Sequence, residues 1–218
     1  MTRFLALFAC AVAWLSPSAL AQERPVLVEL FASQNCKACP KAYRLLDKIK
    51  TADESVFVLT WTVDYWDYLG DPDPMALSEA KTRQEAYADN LAVRAPYTPQ
   101  SVYNGALQCP ATRERQIKKQ ISKTRDMAEA KAPRLTETAT GVSIAQPCDT
   151  PMDLVLVEYL SDAAHTSDRV NPVTGTWKLG TCGSEPAEFD IACGASCAVF
   201  LQAPDYGPIM DTLVLATR

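Results

Sequence analysis

Val26-Leu27-Val28-Glu29-Leu30-Phe31-Ala32-Ser33-Gln34-Asn35-Cys36-Lys37-Ala38-Cys39-Pro40 reads as a strand, a tight turn and the start of a helix. Val26 to Phe31 is apolar except for Glu29, the pattern of a buried strand. Downstream, Tyr43, Leu45, Leu46 and Ile49 recur at helical spacing. Between these segments lie two cysteines separated by two residues, which can close a small disulfide ring and open it again. At the start of a helix the positive end of the dipole stabilises a thiolate. Pro40 fits the first turn, whose backbone N–H groups lack helical partners.

The helix is expected from about Cys36 to about Lys50. Val56 to Val63 is rich in β-formers and predicts a second strand. Asp64-Tyr65-Trp66-Asp67-Tyr68-Leu69-Gly70-Asp71-Pro72-Asp73-Pro74 must be a loop. Leu77 to Val93 reads as a rather polar helix. Tyr97-Thr98-Pro99-Gln100 leads into a short strand, Ser101 to Tyr103, and Asn104-Gly105 is a hairpin signal returning through Ala106 to Gln108. Arg113 to Lys131 is an amphipathic helix with Pro133 just past its end. The order β-α-β-α-β-β-α predicts a parallel pair joined through a helix plus an antiparallel hairpin. That is the order of a thioredoxin-like α/β fold, and a Cys-x-x-Cys between strand and helix is its redox motif.

Residues 134–218 carry only short apolar runs, among them Val142 to Ile144, Leu154 to Leu160, Trp177 to Leu179, Phe189 to Ile191, Ala198 to Leu201 and Leu213 to Leu215. Gly, Pro, Asp and Ser separate them. This predicts a small antiparallel β domain, sandwich-like, packed on the first. The expected organisation is a signal peptide over 1–21, a thioredoxin-like domain over 22–133 and the β domain over 134–218.

Arg3, the apolar core Phe4 to Leu15 and Ala19-Leu20-Ala21 form an export signal with cleavage expected after Ala21. A retained anchor and lipidation at Cys10 are lesser alternatives, since the apolar core is short for a membrane span and runs past Cys10. Net charge is −5 at pH 7, and loss of Arg3 makes it more negative. With no basic run, nucleic acid is an unfitting partner. In an oxidising compartment disulfides are the default. Cys36, Cys39, Cys109, Cys148, Cys182, Cys193 and Cys197 would remain after cleavage. If Cys36 and Cys39 form one unit, two bridges are expected among the four cysteines of residues 148–218, with three connectivities open. Cys109 is then the odd thiol.

Val28 to Cys36 with Cys39-Pro40, Val63 to Gly70, and Tyr97-Thr98-Pro99-Gln100 together resemble a secreted bacterial family, domain of unknown function 1223, described as thioredoxin-like. The likeness covers residues 26–105 well and the last 80 or so loosely. It implies that Pro99, after Thr98, is a cis-proline set against the redox cysteines, leaving a backbone edge for a substrate chain; a cis X-Pro bond is an uncommon feature of tight turns. The family implies no substrate.

Cys36, nearer the mouth of the motif, is the expected nucleophile, and Cys39 the resolving thiol. Lys37 adds a positive charge that lowers the thiol pKa. The bland alternative is a static bridge; another is half of a zinc site, with Cys193 and Cys197 as the other half. Glu29, if buried, would have a raised pKa and could relay a proton to Cys39; otherwise it is an edge glutamate reaching water. Tyr65 and Trp66 follow the C-terminal end of a strand, where ligands bind in parallel sheets, and either select a partner or plug the two domains together. His165, the single histidine, lies in a polar loop and reads as a surface residue. These readings give an exported thiol–disulfide oxidoreductase without cofactor or metal, with cysteine-containing exported proteins as substrates and a membrane-embedded redox partner. The alternatives are a non-catalytic binding module with a structural disulfide and, as a minor reading, a metal carrier.

Overall fold

Every residue of β1 (Val26–Ala32) is buried, because the strand lies inside a sheet covered on both faces. The computed structural model describes residues 24–128, 132–161, 165, 167–194 and 196–215. The expected signal peptide and the last residues of the helix expected to reach Lys131 lie outside them. In β1, Val26, Val28 and Leu30 face one core, while Leu27 and Phe31 face another, as the period of two requires.

The first core holds α1 (Cys39–Ala52), whose buried Cys39, Ala42, Tyr43, Leu46 and Ile49 form one helical stripe. Around it, β2 (Val56–Thr62) pairs parallel to β1, β3 (Gln100–Tyr103) pairs antiparallel to it, and β4 (Leu107–Pro110) closes a hairpin with β3. α2 (Ser78–Asn90) and α3 (Glu114–Met127) complete this half. α1 begins at Cys39 rather than Cys36, since the intervening residues form a turn closed by the Cys39 N–H on the Cys36 carbonyl, 3.0 Å. α2 stops before the expected Val93, where Ala92 turns back with φ 52°.

The β3–β4 turn has Asn104 at φ 42° and Gly105 at φ 64°, the left-handed pair of a tight hairpin. The Asn104 Oδ1 accepts the Leu27 N–H at 2.7 Å. A Cβ on Gly105 would stand 2.7 Å from the Gly207 carbonyl oxygen. Gly105→Ala is therefore expected to cost about 1–3 kcal/mol, read as a lower urea midpoint at unchanged m-value.

The C-terminal half forms two antiparallel sheets. One has the order β11 (Ile209–Val214), β10 (Ser196–Gln202), β7 (Met152–Tyr159), β8 (Val173–Cys182); the other runs β5 (Leu135–Glu137), β6 (Gly141–Ile144), β9 (Ala187–Asp190). Leu135, Ile144, Leu154, Leu156, Val199 and Leu201 share the core associated with these sheets. The opposite face of the larger sheet, with Val157, Tyr159, Ala198 and Phe200, packs on Leu27, Phe31, Trp61 and Tyr87. β5 escapes sequence reading because three residues with one buried leucine carry no alternation. β8 outruns the expected Trp177 to Leu179 because β7 pairs along its length.

The structure is thus mixed α/β, with three sheets and three α-helices among the described residues. Cys148–Cys182 and Cys193–Cys197 are the two bridges of the C-terminal half, and Cys109 is a buried free thiol. The free edge of β2 is covered by residues 170–171. The Thr60 hydroxyl donates to the Val170 carbonyl at 2.7 Å, and the Asn171 amide to the Val58 carbonyl at 2.9 Å. No helix among the described residues is long and apolar enough to cross a membrane.

Candidate functional site

β1 delivers the chain to a turn at its C-terminal end, and α1 takes it away. In that turn Cys36 and Cys39 are joined as a disulfide with Cα atoms 5.4 Å apart. Cys36 is 7% exposed and Cys39 is 0% exposed. Lys37, Ala38 and Pro40 between and beside them are exposed. The N-cap of α1, Ala38, offers no side-chain cap, and the first turn contains no acidic residue. The positive end of the helix is therefore uncompensated by protein carboxylates of its own, the electrostatics that favour a thiolate there.

The loop after β2 forms the neighbouring wall. Trp66 is half-buried against the core that contains both cysteines, and its indole N–H donates to the Thr98 hydroxyl at 2.7 Å. The Thr98–Pro99 peptide is cis. Gln100, the next residue, pairs with Phe31, so Thr98 and Pro99 lie at the sheet end from which β1 leads into the cysteine turn. The Tyr65 phenol donates to the Gln84 side chain at 3.1 Å, and Gln84 donates to the Tyr97 carbonyl and the Gln100 side chain. Burial pushes the Tyr65 phenol up to about 12, so it stays neutral. Tyr65, Trp66 and Tyr68 follow one another with ring centroids 5.8 and 6.0 Å apart. Tyr65 and Trp66 pack inward, whereas Tyr68 is 76% exposed and Leu69 56% exposed.

Buried Asp73 holds the residues ahead of Cys36. Its Oδ2 accepts the Gln34 N–H at 2.8 Å and the Arg169 guanidinium at 2.6 Å. The Asn35 amide donates to the Asp71 carbonyl at 3.0 Å. Sequence reasoning missed Asp73, Arg169 and Gln84. The Asp-Pro-Asp-Pro composition marked a loop without distinguishing Asp73 from its neighbours, and no local signal reaches from Asp73 to Arg169.

Glu29 requires a correction. It is 0% exposed, so it is not an edge glutamate reaching water. Nor does it face the dithiol. Val28 and Leu30 are on the cysteine side of the sheet, and one residue along a strand reverses the face. Glu29 points the other way and accepts the Arg83 Nε–H at 2.5 Å and the Tyr87 hydroxyl at 2.6 Å. Arg83 lies 5.1 Å from the ring centroids of both Trp61 and Tyr87. The acid is the anion of a buried ion pair in the inter-sheet core, and Leu30 occupies the cysteine-facing position.

The zinc arrangement considered from sequence is likewise not assembled. Cys193 and Cys197 lie near Glu158, but their sulfurs are bonded to each other, which leaves no thiolate donors. His165 is half-buried, with its Nδ1 facing Ser167.

Fold and site together define a mixed α/β protein with a nearly buried two-cysteine disulfide at a helix N-terminus, beside an aromatic loop. The chain belongs to the family described as protein of unknown function DUF1223, which it matches over residues 27–168. That span extends past the motifs of residues 26–105 into the C-terminal half. In structure the chain is similar to a crystallographically solved protein from Agrobacterium tumefaciens, at 25% identity and a TM-score of 0.77, covering 89% of this chain and 96% of that one. It is also similar to HBP35 of Porphyromonas gingivalis, at 13% identity and a TM-score of 0.54, covering 90% and 80%, a likeness of fold alone. No curated protein matches the chain in sequence.

Proposed function

We propose that this protein is a thioredoxin-like thiol–disulfide oxidoreductase, with Cys36 and Cys39 as its catalytic pair and cysteine-containing exported proteins as substrates. The observation that carries the reading is the asymmetry of the pair. One sulfur belongs to a residue with a small exposed surface, the other to a residue with none, at an uncapped helix end free of acids.

In the reducing direction the Cys36 thiolate attacks one sulfur of a substrate disulfide. A Cys36–substrate bond forms, and the other substrate sulfur leaves as a thiolate and takes a proton from solvent. The Cys39 thiolate then attacks the Cys36 sulfur, releasing the second substrate thiolate and forming the Cys36–Cys39 bond. Two electrons pass from the pair to the substrate, and the reverse sequence oxidises a substrate dithiol. Lys37 lowers the Cys36 thiol pKa by its charge. Thr98 and Pro99, at the same end of the sheet, together with Trp66 and its neighbour Tyr65, form the substrate-binding side. The dithiol serves as its own redox group, and a membrane-embedded partner resets it. Three disulfides in one chain are compatible with export, as the amino-terminal signal leads one to expect.

A second reading, a binding module with a static bridge, is favoured by the small exposure of Cys36. Equilibration of residues 22–218 in glutathione buffers, followed by thiol alkylation and mass analysis, separates the two. The enzyme requires one couple at Cys36/Cys39 between roughly −270 and −120 mV. A couple below about −300 mV leaves the static module instead.

A further inference from the structure

Tyr68 and Leu69 are the two most exposed large apolar side chains among the described residues, and they are neighbours in the loop after β2. Exposed apolar residues scattered singly are ordinary; an adjoining pair next to a reactive group marks a contact surface. Trp66 packs against the core that holds both cysteines, and its ring centroid lies 6.0 Å from that of Tyr68. An aromatic strip thus runs from the dithiol side out to the tip of the loop.

Polar contacts fix the loop from beneath. The Asp67 N–H donates to the Asp64 carbonyl at 2.8 Å, and the Leu69 N–H to the Trp66 carbonyl at 2.9 Å. The side-chain amides of Gln34 and Asn35 both donate to the Asp71 carbonyl, at 2.9 and 3.0 Å. A Cβ on Gly70 would stand 2.6 Å from the Asn35 Oδ1, so the loop lies on the residue that precedes Cys36. Two apolar side chains are therefore held in water on an ordered support, which lowers the ordering cost of binding a partner there.

Charge narrows the partner. Asp64 and Asp71 bracket the loop and are exposed, and neither is in an ion pair among the described residues. Asp67 is already engaged, accepting the Asp73 N–H at 3.2 Å. Lys37 and Lys41, the exposed cations nearby in sequence to the dithiol, belong to the cysteine turn and to α1 rather than to the loop. An apolar surface between uncompensated carboxylates fits apolar side chains accompanied by cations.

We propose that Tyr68 and Leu69 form a docking lip for the segment that flanks a substrate's cysteine, a segment of apolar or aromatic residues with Lys or Arg beside them. The proposal rests on the redox reading of Cys36 and Cys39 and names the class of protein segment that reaches them.

The test is fluorescence anisotropy of the oxidised protein with a short labelled peptide in which Ser replaces Cys and is flanked by Phe, Leu and Lys. Docking is thereby measured without exchange. Saturable binding with a Kd below about 1 mM is expected. Replacing Phe and Leu of the peptide by Ser should weaken it about tenfold. Replacing Lys by Glu should weaken it about fivefold at low salt and less at high salt. Tyr68→Ser combined with Leu69→Ser should weaken binding of the first peptide about tenfold. Trp177→Ser, which removes an exposed aromatic on β8, should leave it unchanged, and thermal melts verify that the variants fold. The lip is overturned if the first peptide does not bind, if the Ser or Glu peptide binds as well, if the double variant binds like the parent, or if Trp177→Ser weakens binding as much. Exchange of the reduced protein with glutathione disulfide decides the redox reading separately. Exchange without peptide binding removes the lip alone, and peptide binding without exchange removes the enzyme.

Discussion

Cys36→Ser is expected to reduce dithiothreitol-driven insulin reduction to the uncatalysed rate, while Cys39→Ser retains attack but accumulates a mixed disulfide with substrate. The difference follows from exposure. Cys36 presents 7% of its surface and Cys39 none, so an incoming disulfide meets only the first sulfur. Serine at position 36 removes the nucleophile altogether, because an alcohol does not ionise near neutral pH and cannot exchange with sulfur. Serine at position 39 removes the intramolecular attack that releases the product, so the covalent complex persists and is seen on non-reducing gels. Both variants lose the same short bridge, worth about 2 kcal/mol in the chain-entropy account, so equal stabilities with unequal chemistry would single out the catalytic roles. Parent protein with no activity above background, or equal trapping by both variants, would leave the bridge as a static brace.

Glu29→Ala is expected to destabilise the protein by about 3–5 kcal/mol, the cost of stranding one partner of a buried ion pair. For a chain of this size that lowers Tm by about 10 °C, a large part of the usual 5–15 kcal/mol margin. Glu29 is 0% exposed and Arg83 3% exposed, and the Tyr87 hydroxyl completes the carboxylate's partners. Without the acid, the Arg83 cation remains enclosed by Trp61, Tyr87, Phe200 and Tyr206, with cation–π contacts and its hydrogen bond to the Tyr87 hydroxyl at 2.8 Å but no counter-charge. Glu29→Leu with Arg83→Met should recover much of the loss, because replacing a whole buried pair by apolar groups is far less costly than breaking it. In every folded variant the pH profile of thiol–disulfide exchange should match the parent, since the carboxylate lies across the sheet from the cysteines. A shifted resolution step in Glu29→Gln at unchanged Tm would restore the proton-relay role.

Most of the first half was legible along the chain. The Val26 to Phe31 run, the stripe through Tyr43, Leu46 and Ile49, the Asn104-Gly105 turn and the cysteine spacing are local signals, and each element appears within a few residues of its expected place. What local patterning did not carry was the face of β1. A strand buried on both sides has no polar alternation, so Glu29 could be placed in the strand but not on either surface of the sheet. The polar α2 concealed a similar surprise: its Arg83 and Gln84 are buried with partners from other segments.

Short-range periodicity, turn chemistry and cysteine separation are properties of neighbouring residues, and they sufficed for the strands, helices, hairpin and reactive-pair candidate. Depth, face and pairing arise when segments far apart in the chain meet. The packing of β7 and β10 on β1 set the surroundings of Glu29, the seam of residues 170–171 along β2 brought Arg169 beside Asp73 and Tyr43, and the folding of the Tyr65–Trp66 loop onto Thr98 built the wall beside Cys36. Those contacts depend on which surfaces exclude water together, information that no single stretch of residues contains.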